Sequence, residues 1–529
     1  MRPGPTGTYF RYRSIGGPIP SSIHDRRWWV LTVLCGAVLI VVMDNTIVNV
    51  ALPVFSRELH ASNSSLQWIV DAYSLPFAGL LLAGGWFSDW LGRKRVMQWA
   101  LGAFGVFSVM AAGAHSVDTL LVARALMGAA AAFVFPATLS TLTVTFDDLS
   151  ERAKAFGIWG ATSGVAIAVG PIAGGLLLVH FWYGSVFLIN APLVAIALLA
   201  SARVVPESRS PRRRCLDFGG LFLGTAGVSL LTLALIEGPT WGWSSDSTVG
   251  LFGLAMLSLI TFVSYERRRT DPLLDVHIFT NRAFSAGAGA IAVNFFCLFG
   301  FIFLVTQYFQ LIRGYSPLSA GVHTLAFALV VIVVTPLGVM ASLRFGARYV
   351  VSSGLVFLAL GLAWGSVLSA NAAYFGPVIG LIIVFGVGFS LVNAPSTASL
   401  MNTLTPDQIG AGTAVSETTR ELAGTLGVAV MGSVFSSLFG PSVRRILRPY
   451  LTRGLTLPQL HEAATSTRAA QVAVSHLPAA LRPGLDSQVT SAFMLGLHRG
   501  CFVAAVIAAV AALVVLGHLP QVLNDPTNV

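Results

Sequence analysis

Apolar residues in this chain come in long blocks, and polar residues come in short breaks between them. A helix that crosses a bilayer needs roughly 20 mostly apolar residues. Fourteen blocks reach that length, centred near residues 40, 77, 106, 131, 167, 195, 227, 258, 298, 329, 359, 387, 425 and 505. The block opening at Ala411 is the least apolar. Backbone in lipid must satisfy its own hydrogen bonds, so each block predicts a helix. The pattern predicts an all-α polytopic membrane protein.

The breaks orient the blocks. Of 32 Lys and Arg residues, 21 fall in the N-terminal tail and in the connections that share its side. The short connections opposite hold Arg57 and Arg313. Cytoplasmic loops retain positive charge, so the N-terminus is expected inside a plasma membrane. An even span count puts the C-terminus there too. The first block follows Arg26-Arg27 at full length, which reads as a retained signal-anchor without a cleavable signal peptide. The long break from about Gly440 to Ser491 reads as a partly helical outer loop, too small for a catalytic domain. The segment Arg203–Leu216 reads as a cytoplasmic linker. The expected organisation is a disordered tail over 1–28, a six-helix bundle over 29–205, and a linker with two transmembrane helices over 206–270. A second six-helix bundle over 271–518 contains the outer loop 440–491, and a tail runs over 519–529.

Composition narrows the function. The chain is 55% hydrophobic and 10% charged, with mean hydropathy +0.77. That is too few charges to cover a water-facing surface. The net charge of +10 sits in short loops and not on a polar domain, which argues against nucleic acid. The lysines, Lys94 and Lys154, are followed by Arg95 and Ala155, so no GxxxxGK[ST] phosphate loop exists. Uphill transport would then draw on an ion gradient or on a separate partner, with no ATP site of that type in this chain. Cys35, Cys215, Cys297 and Cys501 have neither metal-ligand nor redox spacing, and no metal or cofactor is expected.

Charges inside the blocks are the candidate chemistry, since each costs at least about 2.5–3.5 kcal/mol at mid-bilayer. Asp44, Asp71 and Arg124 fall in one layer of the outer half. Two readings stand: a proton relay, or a static ion pair that locks three helices. Glu417 and Arg420 are i,i+3 neighbours able to neutralise each other, with Glu421 on nearly the same face. They read as a second proton site, a contact for a cationic substrate, or a structural network. Glu237 reads as interfacial, beside Trp241 and Trp243. Gly160, Gly164 and Ala168 make a small-residue ridge for a close helix neighbour, and Pro171 permits a bend.

Between the second and third blocks stands Gly85-Trp-Phe-Ser-Asp89-Trp-Leu-Gly92-Arg93-Lys94-Arg95, a packed polar hinge. Asp89 lies at a helix C-terminus, where the dipole disfavours an anion. It needs a cation, and Arg93 one turn on is the near candidate.

These residues resemble the major facilitator superfamily, in particular its fourteen-span drug:proton antiporters. Gly85–Arg95 is similar to the family's signature loop G-x-x-x-D-x-x-G-R-[RK]-[RK]. Asp44–Pro53 (DNTIVNVALP) resembles the span-one motif. Arg124-Ala-Leu-Met-Gly128 matches R-x-x-Q-G, with Met127 at the usual Gln. Gly157, Gly170-Pro171 and Gly174-Gly175 match the span-five antiporter motif, in which Gly164 also falls, with Ala166 at a usual glycine. Phe187–Pro192 resembles the start of span six, with Tyr183 where arginine is common. The resemblance implies two six-helix bundles with two inserted helices and substrate held between the bundles. It implies proton coupling through the span-one aspartate and span-four arginine, and a cytoplasmic gate latched by the loop acid and its cations. The implied function is efflux of lipophilic, cationic or amphiphilic drugs against protons by a monomer. One rival is export of an envelope lipid or metabolite. Another is a polytopic membrane enzyme, which would need paired carboxylates or a His-Asp cluster in a loop. Neither is found, so no enzyme is expected.

Overall fold

The computed structural model describes residues 26–519, apart from 60–62, 147, 210–216, 270–271, 273, 275, 406–407 and 452–454. The tails, Cys215 and part of the Arg203–Leu216 linker therefore lie outside the described residues. Those described form helices and connections, with no strand among them.

The first six spans are α1 (Arg27–Glu58), α2 (Asn63–Leu91), α3 (Arg93–Ala112), α4 (Val117–Thr145), α5 (Leu149–His180) and a pair of segments, α6 (Ser185–Leu188) and α7 (Asn190–Val204). Two inserted helices follow, α8 (Phe218–Trp241) and α9 (Asp246–Glu266). The last six spans are α10 (Arg282–Gln307), α11 (Pro317–Phe345), α12 (Ala347–Gly365), α13 (Ile379–Met401), α14 (Ile409–Leu447) and α17 (Arg482–His518). Short helices α15 (Leu457–Ala463) and α16 (Thr467–Ser475) precede α17. Fourteen helical stretches among the described residues are long and apolar enough to cross a membrane, and they coincide with the fourteen blocks.

Local signals set the ends. Asp148, Asp217 and Asn281 accept the backbone N–H groups of Glu151, Gly220 and Ala283, each at 2.9 Å, and so open α5, α8 and α10. Two reversals use one glycine each. Gly92 (φ +112°) joins α2 to α3, and Gly346 (φ +88°) joins α11 to α12. Positive φ is open to glycine without strain. The expected eleven-residue hinge is thus a one-residue joint: α2 stays helical through Leu91 and α3 starts at Arg93.

Two apolar cores result. One is built mainly from α1–α7, and at the Gly92 end it runs on into Phe284, Ile291, Leu400, Met401, Ala414 and Val415 of the second half. The other is built from α10–α17. Across the halves, α5 packs along α11 and α2 along α14. Helix α8 lies against both α2 and α14, and α9 packs on α8. Trp243 donates from Nε1 to Ser433 on α14 at 2.7 Å. Glu237 lies near the end of α8, as expected, and is buried within the protein at 8% exposure. The chain folds back there, and Trp243 packs against Gly238.

The long break after the thirteenth block is partly helical. Helix α14 runs to Leu447, past the block's apolar end. Leu460, Ala463, Ala470, Val474 and Leu477 from α15, α16 and their flanks join the second core. Gln471 donates to the Leu311 carbonyl at 2.8 Å, tying this segment to the end of the ninth span.

Candidate functional site

Four helices of the first bundle converge on Asp44. Arg124 of α4 donates from Nη1 to Asp44 Oδ2 at 2.7 Å. Asn190, the first residue of α7, donates from Nδ2 to Asp44 Oδ1 at 2.7 Å and to Ser108 Oγ of α3 at 3.0 Å. Ser108 in turn donates from its hydroxyl to the Phe187 carbonyl at 2.8 Å. All four side chains are 0% exposed. Arg124 also donates from Nε to the Ile69 carbonyl at 3.0 Å, and its guanidinium lies 4.4 Å from the Tyr73 ring centre. Gly128 permits this approach, because a methyl there would collide with the Tyr73 carbonyl. The glycine of the span-four motif is thus what lets its arginine reach α2.

Charge-assisted bonds of this length are strong, and removing one member of a buried ion pair costs about 3–5 kcal/mol. Among the described residues, Arg124 Nη2, Asn190 Oδ1 and the Tyr73 hydroxyl have no hydrogen-bond partner. A proton placed on Asp44 would cancel the ion pair and release Arg124. Asp71 sits half-buried on α2, between Ile69 and Tyr73. The second partner of Asp44 is Asn190 and not another ionisable group. Sequence reasoning named Asp44, Asp71 and Arg124 and missed Asn190 and Ser108. Asn190 fell inside the Phe187–Pro192 motif without being given a role, and the signal for Ser108 was a neutral polar residue inside an apolar block.

At the Gly92 joint, Arg93 donates from Nη2 to Asp89 Oδ1 at 2.8 Å, as expected from one-turn spacing. The pair is buried, at 2% and 8% exposure. Gly85 is buried one turn earlier. The other cations turn to the last turn of α7 and the segment after it. Lys94 donates from Nζ to the Ala202 carbonyl at 2.9 Å, and Arg95 lies 3.5 Å from Glu207 Oε2. The Arg93 N–H donates to the Ser208 carbonyl at 2.8 Å. A methyl on Gly92 would lie 2.5 Å from Glu207 Oε1. Glu207 was not anticipated as a member of this cluster.

The glycines of α5 face two neighbours. Gly170 and Gly174 abut α1: a methyl on Gly170 would collide with Thr46 Oγ1, and one on Gly174 would lie 2.7 Å from Ile47 Cγ1. Gly175 is buried beside them. Gly157 and Gly164 abut α11, where methyls would lie 3.4 Å from Pro336 Cα and 2.7 Å from Val331 Cγ1. Pro171 packs on Gly321 of α11, whose own methyl would lie 3.0 Å from Pro171 Cβ. The expected ridge thus lies along a helix of the other half, with the side chain of Ala168 outside the described residues.

In the second bundle, Arg420 Nη1 lies 2.9 Å from Glu417 Oε1, the expected i,i+3 pair. Arg420 also donates from Nη2 to Thr397 Oγ1 of α13 at 2.7 Å. Its guanidinium carbon lies 5.3 Å from the Trp159 ring of α5 and 5.2 Å from the Phe295 ring of α10. Glu421 is half-buried and lies within electrostatic reach of the Tyr73 hydroxyl, as do Asp44 and Arg124.

Comparison with known proteins agrees with this architecture. The family model described as Major Facilitator Superfamily matches residues 34–428. The chain is 33% identical over 500 residues to the multidrug efflux pump LfrA of Mycolicibacterium smegmatis, covering 94% of this chain and 98% of the relative. It is 35% identical over 421 residues to the puromycin resistance protein of Streptomyces alboniger (79% and 82% covered). It is 31% identical over 505 residues to the tetracenomycin C resistance and export protein of Streptomyces glaucescens (94% and 92% covered). Among solved structures, the proton:xylose symporter XylE aligns with TM-score 0.61 at 12% identity, covering 94% of this chain and 96% of that one. The human organic anion transporter MFSD10 aligns with TM-score 0.56 at 15% identity, covering 90% and 99%. At those identities the two structures speak for the fold: two six-helix bundles, here with two inserted helices. The chain is a multi-pass membrane protein, and it belongs to the Major Facilitator Superfamily of transporters.

Proposed function

We propose that this chain exports lipophilic, cationic or amphiphilic drugs in exchange for protons, by alternating access across the plasma membrane with both termini cytoplasmic. The observation that carries the reading is the sealed Asp44–Arg124–Asn190 network at 0% exposure. A carboxylate buried this deeply and closed by one cation is a two-state element. Protonated, it frees Arg124; deprotonated, it recaptures it. Arg124 also grips α2 through Ile69 and Tyr73, so its release loosens the helix that packs on α14 of the other half. Glu421 on α14 supplies a second acid to the exchange in this reading. Each elementary charge moved net through 100 mV contributes about 2.3 kcal/mol to the exchange, and the pH difference drives an exchange of one proton for one monovalent cation.

The Gly92 joint acts as the cytoplasmic gate in this reading, with Asp89–Arg93 holding the α2–α3 turn and Glu207 drawing the end of the first bundle onto it. The positive-inside count supports that orientation. The printed functions of the relatives, multidrug efflux and resistance to puromycin and tetracenomycin C, support drug-like cargo.

The experiment is uptake of a fluorescent cationic dye into everted vesicles energised by a proton gradient. Wild type accumulates dye and releases protons in step. Asp44→Asn is expected to abolish gradient-driven accumulation at unchanged expression. Undiminished uphill transport by Asp44→Asn would overturn the coupling role. Transport of an envelope lipid without any dye response would favour the rival cargo.

A further inference from the structure

Buried polar atoms without a hydrogen-bond partner are uncommon in folded proteins. Among the described residues they are spread over the molecule, and one group lies where α5 meets the second bundle. Trp159 Nε1, Thr335 Oγ1, Asn393 Oδ1 and Arg420 Nε all lack a partner. Their side chains are between 0% and 6% exposed. They share one place. A methyl on Gly160, next to Trp159, would lie 3.5 Å from Asn393 Nδ2 and 3.8 Å from Thr335 Cγ2. Arg420 closes the cluster against the Trp159 and Phe295 rings.

A purely structural core gains nothing from these groups, because apolar side chains of the same shape fill the space without stranding a donor or acceptor. The open atoms are of both kinds: Trp159 Nε1 and Arg420 Nε donate, Asn393 Oδ1 accepts, and the Thr335 hydroxyl does either, which matches a ligand carrying both carbonyl and hydroxyl groups. The surrounding faces are aromatic: Trp159 meets Phe135 with ring centres 6.3 Å apart, and Phe295 meets Phe389 at 5.7 Å.

We propose that Trp159, Thr335, Asn393 and Arg420 form a specificity subsite that hydrogen-bonds the oxygen atoms of a flat oxygenated aromatic substrate, of the hydroxyquinone class. The subsite opens when α5 separates from α11 and α13, and the substrate's oxygens then supply the missing partners. This inference rests on the efflux reading and names a substrate class for it. A lipophilic cation with no hydrogen-bonding group would pass without using these atoms.

Equilibrium binding to the full chain in lipid nanodiscs tests this, with 1,4-dihydroxyanthraquinone as the oxygenated probe and tetraphenylphosphonium as the cation without hydrogen-bonding groups. Wild type is expected to bind both. Trp159→Phe, Thr335→Val and Asn393→Leu should each raise the Kd for the quinone about tenfold, the scale of one buried hydrogen bond. The Kd for the phosphonium should stay within twofold. Thr335→Ser retains the hydroxyl and should retain quinone affinity. The Thr335→Ser and Thr335→Val pair keeps the test alive where a larger change does not fold. Parallel loss of both probes, no loss of either, or a wild type that binds only the phosphonium overturns the subsite. A wild type that binds neither probe overturns the efflux reading beneath it.

Discussion

Asp44 in the first bundle commits both oxygens, Oδ2 to Arg124 and Oδ1 to Asn190, and Asn190 is held in turn by Ser108. Arg420 in the second bundle has one hydroxyl and one carboxylate, and around it Trp159, Thr335 and Asn393 hold polar atoms with nothing to bond. Both sites are buried charges at a helix junction, and both hold unpartnered polar atoms among the described residues; they differ in that the first lies within one bundle, whereas the second joins α5 of the first bundle to α11, α13 and α14 of the other. The difference teaches a division of labour. A network held within one bundle has two discrete states, paired and unpaired, which suits a switch. A cluster that joins two bundles opens its unpartnered atoms when the bundles part, which suits recognition.

The comparison breaks most sharply on its cations. Arg124→Ala strands the Asp44 carboxylate at 0% exposure and should lower stability by about 3–5 kcal/mol, read as a fall in melting temperature of the purified protein. A fall no larger than that of Thr397→Val, which removes one neutral partner of Arg420, would erase the distinction between the sites. Asn190→Leu comes next. It removes a bond to a charged group, worth about 1.5–3 kcal/mol, and should slow gradient-driven transport with no change in binding of tetraphenylphosphonium.

Two glycines sharpen the same contrast. Gly128→Ala drives a methyl into the Tyr73 backbone, with Tyr73 C only 2.8 Å away. Overpacking of this kind costs about 1–3 kcal/mol. Gly160→Ala meets Asn393 at an ordinary 3.5 Å and should leave the melting temperature within error. Equal effects from the two would mean that the second site is as tightly closed as the first. The smallest effect belongs to the gate's outermost cation. Arg95 is 59% exposed on its side chain and 3.5 Å from Glu207, so Arg95→Ala should cost under about 1 kcal/mol, far less than Arg93→Ala at the buried pair.

Much of this was legible in the chain. The length of an apolar block is a physical requirement of the bilayer, so all fourteen spans could be counted. A charge inside such a block is conspicuous, which exposed Asp44, Arg124, Glu417 and Arg420. The one-turn spacing of Asp89 and Arg93 and the i,i+3 spacing of Glu417 and Arg420 foretold their pairs. What escaped were neutral polar residues and distant partners. Asn190, Ser108, Asn393 and Trp159 look like ordinary members of helices until packing places them beside a charge. Glu207 lies 113 positions from Lys94, whose backbone N–H it accepts at 3.3 Å, and no local pattern links them. The hinge at Gly85–Arg95 was read as a segment because its residues are polar. It is a point because a single glycine at φ +112° reverses the chain and both flanks remain helical.

Helix α14 holds 39 residues from Ile409 to Leu447, so it measures about 58 Å at 1.5 Å per residue, nearly twice the hydrocarbon thickness of roughly 30 Å. Arg420 lies near one end of that rod, and the far tip stands about 40 Å beyond it. Geometry makes the rod a lever arm. A tilt of about 10° pivoting at Arg420 sweeps the tip through roughly 7 Å, a displacement large enough for a pair of spin labels to resolve. Events hidden at the centre of the bilayer are thereby written at its surface, where the exposed Arg444 and Arg445 offer positions to read them.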